Sequence, residues 1–269
     1  MTQSLRLPLT AWEKGTDMAQ IGVGLQLYTV RDHLAKDYVG TLKRVKEIGY
    51  DIVQLGTNAP FDAARLREVL DEIGLKPAGI HVALNEMETR LDHWIAYAKT
   101  VGTGQLIMPW LPEARRRTKE DWLANAAVLD KLGAQCKEKG IRLSYHNHSF
   151  EFAKFGRTYA LDLLYKNTAP DHLYAELDTY WIKHGGADPV AYIRKYAGRQ
   201  PTLHIKDMAA DEKRSFAEVG KGILDWPAIH KAALKAGVEC YCVEQDICPG
   251  DSFESARISV EFTRKLVAS

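Results

Sequence analysis

Acidic and imidazole side chains recur near the ends of four short apolar segments in the second half of the chain. Glu151 follows IRLSYHNHSF, Asp178 ends LYAELD, and His204 and Glu244 lie in PTLHIKD and VECYCVEQD. Burying so many ionisable groups is costly unless they pair or bind a metal. Carboxylates combined with one imidazole suit a divalent ion such as Mn²⁺, Mg²⁺, Co²⁺ or Zn²⁺. Together the four residues predict one such ion.

Each of these side chains also has a purely structural interpretation. A single histidine at a strand end is more often hydrogen-bonded than a metal ligand. Asp178 alone could cap a helix, and Glu244 alone could be half of an ion pair. The combination at four successive segments is what favours a metal site.

The apolar segments alternate with helix-like stretches and predict the elements that position these residues. Eight short strand-like runs each precede a helix-like stretch, and several of those stretches end in glycine, at Gly49, Gly74, Gly102, Gly140 and Gly237. Strict alternation predicts a parallel sheet, and eight units favour a closed (β/α)₈ TIM barrel of the α/β class. A doubly wound open sheet is the alternative, but LYTVRDH follows the first strand where that fold usually carries a glycine-rich phosphate loop.

The composition fits one domain and argues against several other classes. The chain has 269 residues, is 46% hydrophobic and carries a net charge of +1, so there is no basic excess to grip a nucleic-acid backbone. No run approaches the roughly 18 apolar residues of a membrane span. We assign residues 21–269 to the barrel. Residues 1–20 are interpreted as an N-terminal extension and not as a secretory signal, because they lack an apolar core.

The cysteine pattern indicates a reducing compartment. The four cysteines form no paired CxxC motifs, and we expect free, mostly buried thiols in a cytoplasmic protein; they are Cys136, Cys240, Cys242 and Cys248. A small-molecule partner is expected, with no nucleic acid and no membrane. Monomer and homo-oligomer both stay open.

Five runs, YHNHSFEF, AELDTYWI, LHIKD, EVGKGILDW and VEQD, resemble the sugar phosphate isomerase/epimerase family, the xylose isomerase-like TIM barrels. The resemblance extends from about Gly22 to the C-terminus. It implies one divalent metal ion bound by two glutamates, one aspartate and one histidine. By position, Asp178, His204 and Glu244 match the ligands of strands six, seven and eight.

The strand-five ligand departs from the family pattern. Many relatives carry a glutamate inside this strand, where the chain has Tyr145. We therefore expect Glu151, in the following loop, to be the fourth ligand. A three-ligand site completed by water or by His148 is the alternative.

The resemblance implies an isomerase or epimerase that acts on a sugar, a keto-sugar or a sugar phosphate. The metal would polarise a carbonyl while a base removes the proton from the neighbouring carbon. Glu151 and Glu244 are the candidate bases. Lys206 is expected to neutralise the developing charge or to protonate a leaving hydroxyl, and an ion pair with Asp207 or with a neighbouring carboxylate is its structural alternative.

Substrate contacts are expected from histidine and tryptophan side chains at the barrel mouth: His81, His146, His148, Trp110 and Trp181. Trp181 lies three residues after Asp178, where ketose epimerases of the family often carry a histidine. This leaves open a lyase or dehydratase acting on an inosose or a keto-glycoside. A non-catalytic sugar-binding barrel is the alternative of another class. The family's trinuclear zinc endonucleases need more histidine ligands than this sequence offers.

Overall fold

The computed structural model describes residues 21–269, which form a closed barrel of eight parallel strands. The strands are β1 Gly22–Gln26, β2 Ile52–Leu55, β3 Lys76–His81, β4 Gln105–Met108, β5 Arg142–His146, β6 Tyr174–Asp178, β7 Thr202–Ile205 and β8 Cys240–Val243. Each strand pairs with the next in the chain, and β8 pairs with β1 to close the barrel. The predicted TIM barrel is confirmed, and the open-sheet alternative is wrong. The predicted N-terminal extension, residues 1–20, lies outside the described residues.

Eight main helices, one after each strand, cover the barrel. They are α1 Tyr38–Ile48, α2 Ala63–Ile73, α3 Leu84–Val101, α4 Lys119–Glu138, α5 Ala160–Lys166, α6 Pro189–Lys195, α7 Trp226–Ala236 and α8 Ser252–Val267. Helix α2 shows how the sequence sets one of them. Asp62 caps its first turn, Leu66, Val69 and Leu70 form its buried face, and Gly74 ends it with φ +76°. No helix within residues 21–269 is long and apolar enough to cross a membrane.

The barrel interior changes from apolar to ionisable along the strands. Cys240 and Cys242 alternate with Tyr241 and form an apolar cluster with Ile52 and Ala78. Residue 244 continues the alternation of residues 240 and 242, so the Glu244 side chain lies on the same inner face as the two thiols. All four cysteines are free and three of them are buried, as the sequence predicts.

The loop after β7 is held by a buried carboxylate. Asp207 accepts hydrogen bonds from the backbone N–H groups of Gly220 and Gly222 and from the indole N–H of Trp226, 2.7 Å away. A Cβ atom at position 222 would lie only 2.2 Å from Asp207 Oδ1, so the close approach requires glycine. The EVGKGILDW run therefore wraps around Asp207. Lys206 pairs with Asp178, Glu244 and Asp246 instead, so of its two structural alternatives the neighbouring carboxylates are observed and Asp207 is not.

Candidate metal centre

The ends of β5 to β8 bring four buried side chains to one point. His146, Asp178, His204 and Glu244 each offer one ligand atom, and these atoms all lie within 4.8 Å of one another. His146 Nε2 lies 3.2 Å from Asp178 Oδ2, and His204 Nδ1 lies 3.0 Å from Glu244 Oε2. Two nitrogen and two oxygen donors suit a borderline divalent ion. The residues present therefore fit a metal site.

His146 is oriented by the backbone just after β4. Its Nδ1 lies 3.3 Å from the carbonyl oxygen of Pro109, which can only accept a hydrogen bond. Nδ1 therefore carries the hydrogen, and the lone pair of Nε2 faces Asp178. Burial and the neighbouring His204 and Lys206 hold the pKa of His146 well below its usual value, which favours the neutral imidazole that a metal requires.

Asp178 divides its two oxygens between a cap and the cluster. Oδ1 accepts the backbone N–H of Trp181 and so caps the short helix Thr179–His184, while Oδ2 faces His146. The Asn147 side chain accepts the backbone N–H of Asp178 at 3.1 Å. Capping and metal binding, which the sequence offered as alternatives for Asp178, are thus compatible.

Lys206 places a cation among three carboxylates. Its Nζ lies 2.7 Å from Glu244 Oε2, 3.2 Å from Asp178 Oδ2 and 2.7 Å from Asp246 Oδ2. Burial alone would lower the pKa of Lys206, but the three carboxylates raise it well above its ordinary value. The sequence did not single out Asp246, although it alternates with Glu244 on one face of the chain.

Glu151 lies apart from this cluster, in the turn Phe150–Phe152. Its carboxylate accepts hydrogen bonds from the Tyr145 hydroxyl at 2.7 Å and from the His148 backbone N–H at 2.8 Å. Burial raises the pKa of Glu151 to about 8, although both hydrogen bonds favour the ionised form. Within the cluster, the strand-five position is filled by His146, which the sequence suggested only as a substrate contact. The assignment of Glu151 as ligand and base stays a prediction.

An open cavity of about 530 Å³ gives access to the cluster. Four of its lining residues were predicted to hold substrate, namely His81, His146, His148 and Trp110, and it also reaches Glu244 and Asp246. Trp110 stands at the rim with 47% of its surface exposed. Trp181 does not line the cavity, and its ring packs 5.3 Å from the ring of His148.

A second group of potential ligands lies on the other side of His204. His81, Glu176 and His204 also have ligand atoms within 4.8 Å of one another. Glu176 is fully buried and was not singled out in the sequence. Its position two residues before Asp178 was the signal that could have found it, because alternate residues of a strand share a face.

The fold agrees with comparisons to known proteins. The family model of the xylose isomerase-like TIM barrel matches residues 42–266, so the chain belongs to that family. An inosose dehydratase from Geobacillus kaustophilus is 24% identical over 88% of this chain and 89% of its own length.

Two solved structures extend the comparison. A sugar phosphate isomerase/epimerase from Parabacteroides distasonis is 25% identical, covers 92% of this chain and 95% of its own, and superposes with a TM-score of 0.76. The IOLI protein, solved with a bound zinc atom, is 15% identical with a TM-score of 0.73 and covers 92% and 98% of the two chains. At that identity it supports the fold alone. The predicted class, an enzyme of the sugar isomerase, epimerase or lyase type, is confirmed.

Proposed function

We propose that the protein binds one divalent metal ion through His146, Asp178, His204 and Glu244. The convergence of these four buried side chains at the barrel mouth is the observation that carries the proposal. Two imidazoles among the donors favour Mn²⁺, Co²⁺ or Zn²⁺ over Mg²⁺. When bound, the ion would supply Lewis-acid stabilisation to a substrate carbonyl oxygen as negative charge develops there.

The proposed reaction is isomerisation or epimerisation of a sugar, keto-sugar or sugar phosphate by proton abstraction beside a carbonyl. Glu244 is the proposed base, because its carboxylate lines the cavity and lies in the cluster. Burial would raise the pKa of Glu244, but Lys206 and His204 hold it well below its usual range, so the group is ionised. Glu151 lies outside the cavity lining and is a weaker candidate for this step.

Lys206 is proposed to hold a proton next to the base. Its ammonium contacts both Glu244 and Asp246, so a proton taken from carbon by Glu244 has a short path to Asp246 at the cavity wall. Substrate hydroxyls are proposed to contact His81 and His148, and a sugar ring to stack on exposed Trp110.

A dehydratase is the second candidate on the same site. A buried ammonium next to the base favours it, since Lys206 could protonate a hydroxyl that leaves after the carbon-bound proton has been removed. The inosose dehydratase name of the relative from Geobacillus kaustophilus points in the same direction. Trp181, in the position where family epimerases often carry histidine, supports it as well.

We also propose a cytoplasmic location and no nucleic-acid or membrane partner. Four free cysteines support a reducing compartment, and a net charge of +1 supports a neutral or phosphorylated small molecule as the partner.

One experiment separates the candidates. The metal-loaded protein is incubated in D₂O with a panel of keto-sugars and inososes, with and without a chelator. We expect deuterium to enter beside the carbonyl and a new sugar isomer to appear, with both lost after chelation. Formation of an unsaturated or deoxy ketone identifies the dehydratase. Saturable sugar binding with neither exchange nor product contradicts both enzymatic candidates and favours a sugar-binding barrel.

A further inference from the structure

A layer of polar side chains lies inside the barrel directly behind His204. Glu176 is its centre. One of its carboxylate oxygens, Oε1, accepts the Gln54 side-chain amide and the Thr202 hydroxyl, each at 2.6 Å. The other, Oε2, lies 3.0 Å from His81 Nε2 and 3.1 Å from His204 Nε2. Four neighbours therefore surround a fully buried carboxylate, which can satisfy its acceptor capacity without water.

The chemistry of the neighbours fixes the direction of these hydrogen bonds. An ionised carboxylate only accepts, so Gln54 must turn its NH₂ group towards Glu176 and its carbonyl oxygen towards His204. That oxygen lies 2.6 Å from His204 Nε2 and also accepts the amide of Gln26 at 2.7 Å. Both atoms facing His204 Nε2 are thus acceptors. Nε2 must carry a hydrogen, and Nδ1 is the nitrogen left to face Glu244 and the cluster.

We infer that Glu176 is a positioning residue for the metal centre and for the substrate-facing His81. It holds His204 with Nε2–H pointing inward, so that the Nδ1 lone pair is available to the ion, an arrangement that raises the basicity of a metal-bound imidazole. It also takes Nε2–H of His81, which leaves Nδ1 of His81 as a hydrogen-bond acceptor for a substrate hydroxyl. The inference rests on the proposed metal site.

A second metal ion between His81, Glu176 and His204 is the competing interpretation of the same residues. The hydrogen bonds argue against it. Glu176 Oε1 already accepts from Gln54 and Thr202, and the Gln54 carbonyl already accepts from Gln26. An ion at this position would replace the hydrogens that hold the layer together, whereas the ligand atoms of the mouth cluster converge beside the open cavity.

Glu176→Gln tests the inference with little change in shape. Its amide oxygen would still accept from Gln54 and Thr202, which turns its NH₂ group towards His81 and His204. His81 Nε2 would then face a donor, and His81 should shift its hydrogen to Nδ1. His204 Nε2 would exchange its carboxylate partner for a donor and keep the Gln54 carbonyl oxygen as its one acceptor, which weakens the support of the ligand. We expect zinc affinity, measured by competition with a chelating dye, to fall about 10- to 100-fold.

Thr202→Val is the matched control. It removes a hydrogen bond from the other oxygen of the same carboxylate and leaves the acceptors at His204 Nε2 in place. Both variants should lower the thermal midpoint of the metal-free protein, but Thr202→Val should keep zinc affinity within about threefold of the parent. Equal losses of affinity in the two variants would mean that Glu176 has only a structural role.

Imidazole ¹⁵N spectra give a readout that does not depend on activity. In the zinc-loaded parent we expect zinc on Nδ1 of His204 and hydrogen on Nε2. In the metal-free parent we expect the Nε2–H form of His81, lost in Glu176→Gln. If the parent binds no zinc, the proposed function fails while His81 still reports on Glu176.

Besides equal losses of affinity in the two variants, three outcomes overturn the inference. The first is a Glu176→Gln protein that keeps both parental zinc affinity and the Nε2–H form of His81. The second is a parent that binds two zinc ions and a variant that binds one, which makes Glu176 a ligand. The third, decisive even if the variant does not fold, is zinc on Nε2 of His204 in the parent.

Discussion

Glu151 and Glu244 are both buried glutamates close to the end of a barrel strand, yet their surroundings differ. Glu151 is held by a phenol and a backbone N–H, and burial raises its pKa to about 8. Glu244 lies between His204 and Lys206, which outweigh burial and keep its pKa well below normal. The comparison teaches that neighbouring cations, and not burial, decide which carboxylate is charged and available for chemistry.

The largest expected effect comes from Glu244→Gln compared with Glu151→Gln. If Glu244 is both ligand and base, its amide loses proton-accepting ability, and kcat should fall by about 10²- to 10⁴-fold. Glu151→Gln should reduce kcat by less than about tenfold, because it changes only the hydrogen bonds with the Tyr145 hydroxyl and the His148 backbone. Steady-state kinetics on any substrate found in the D₂O panel measures both. A larger loss of kcat in Glu151→Gln than in Glu244→Gln would contradict Glu244 as the base.

Removing the Lys206 ammonium tests how the charged region is balanced. Lys206→Met keeps the aliphatic stem and leaves Asp178, Glu244 and Asp246 without their cation. Breaking a buried ion pair typically costs about 3–5 kcal/mol, so the metal-free variant should lose about that much unfolding free energy. Added metal should restore part of the loss. Denaturant titrations with chelator and with zinc provide the measurement, and an unchanged midpoint in chelator contradicts the proposed charge balance.

His146→Ala and His148→Ala form a pair that separates ligand from support on strand five. Loss of His146 should lower zinc affinity by more than about 100-fold, since removing a ligand costs more than removing an outer partner. His148→Ala should leave zinc affinity nearly unchanged and act on KM for the sugar. Competition with a chelating dye measures the zinc affinity, and steady-state kinetics measures KM. Equal zinc affinity in the parent and His146→Ala removes His146 from the site.

The smallest expected effect is the pH dependence that Glu151 contributes to stability. Its folded pKa of about 8 is above the unfolded value near 4.3. The stability contribution is therefore complete below about pH 4 and is lost as pH rises towards 8. Glu151→Gln has no such group, so its unfolding free energy does not fall in this way. The difference in unfolding free energy between Glu151→Gln and the parent should therefore rise by up to about 2 kcal/mol from pH 5 to pH 6.5, at about 1.4 kcal/mol per pH unit. Urea unfolding in the presence of chelator measures this difference. A difference in unfolding free energy that does not change with pH contradicts the raised pKa of Glu151.

The sequence was sufficient for the fold and for three members of the cluster, because both follow from periodicity. Alternating apolar runs predicted eight strands, and strand ends predicted where Asp178, His204 and Glu244 meet. The ligand from strand five depends on which alternate residues of that strand point towards the barrel mouth. Tyr145 and His146 face opposite sides, and a shift of one residue exchanges them. The family pattern placed the ligand at Tyr145, whereas His146 is the side chain that faces the mouth.

Other contacts depend on chain segments far apart in sequence. Gln54 and His204 are separated by 150 positions, so no local pattern predicts their hydrogen bond. Asp207 meets the glycine run only after a loop has folded back. Glu176 and Asp246 were accessible in principle, since each alternates with a predicted ligand on the same strand face.

The most direct test of the account is the anomalous diffraction of a crystal grown with zinc. The account predicts one strong peak per chain, about 2.0–2.2 Å from His146 Nε2, His204 Nδ1 and oxygens of Asp178 and Glu244, with Lys206 Nζ displaced towards Asp246. A peak bound by Glu151, or the absence of any peak among these four side chains at saturating zinc, contradicts it.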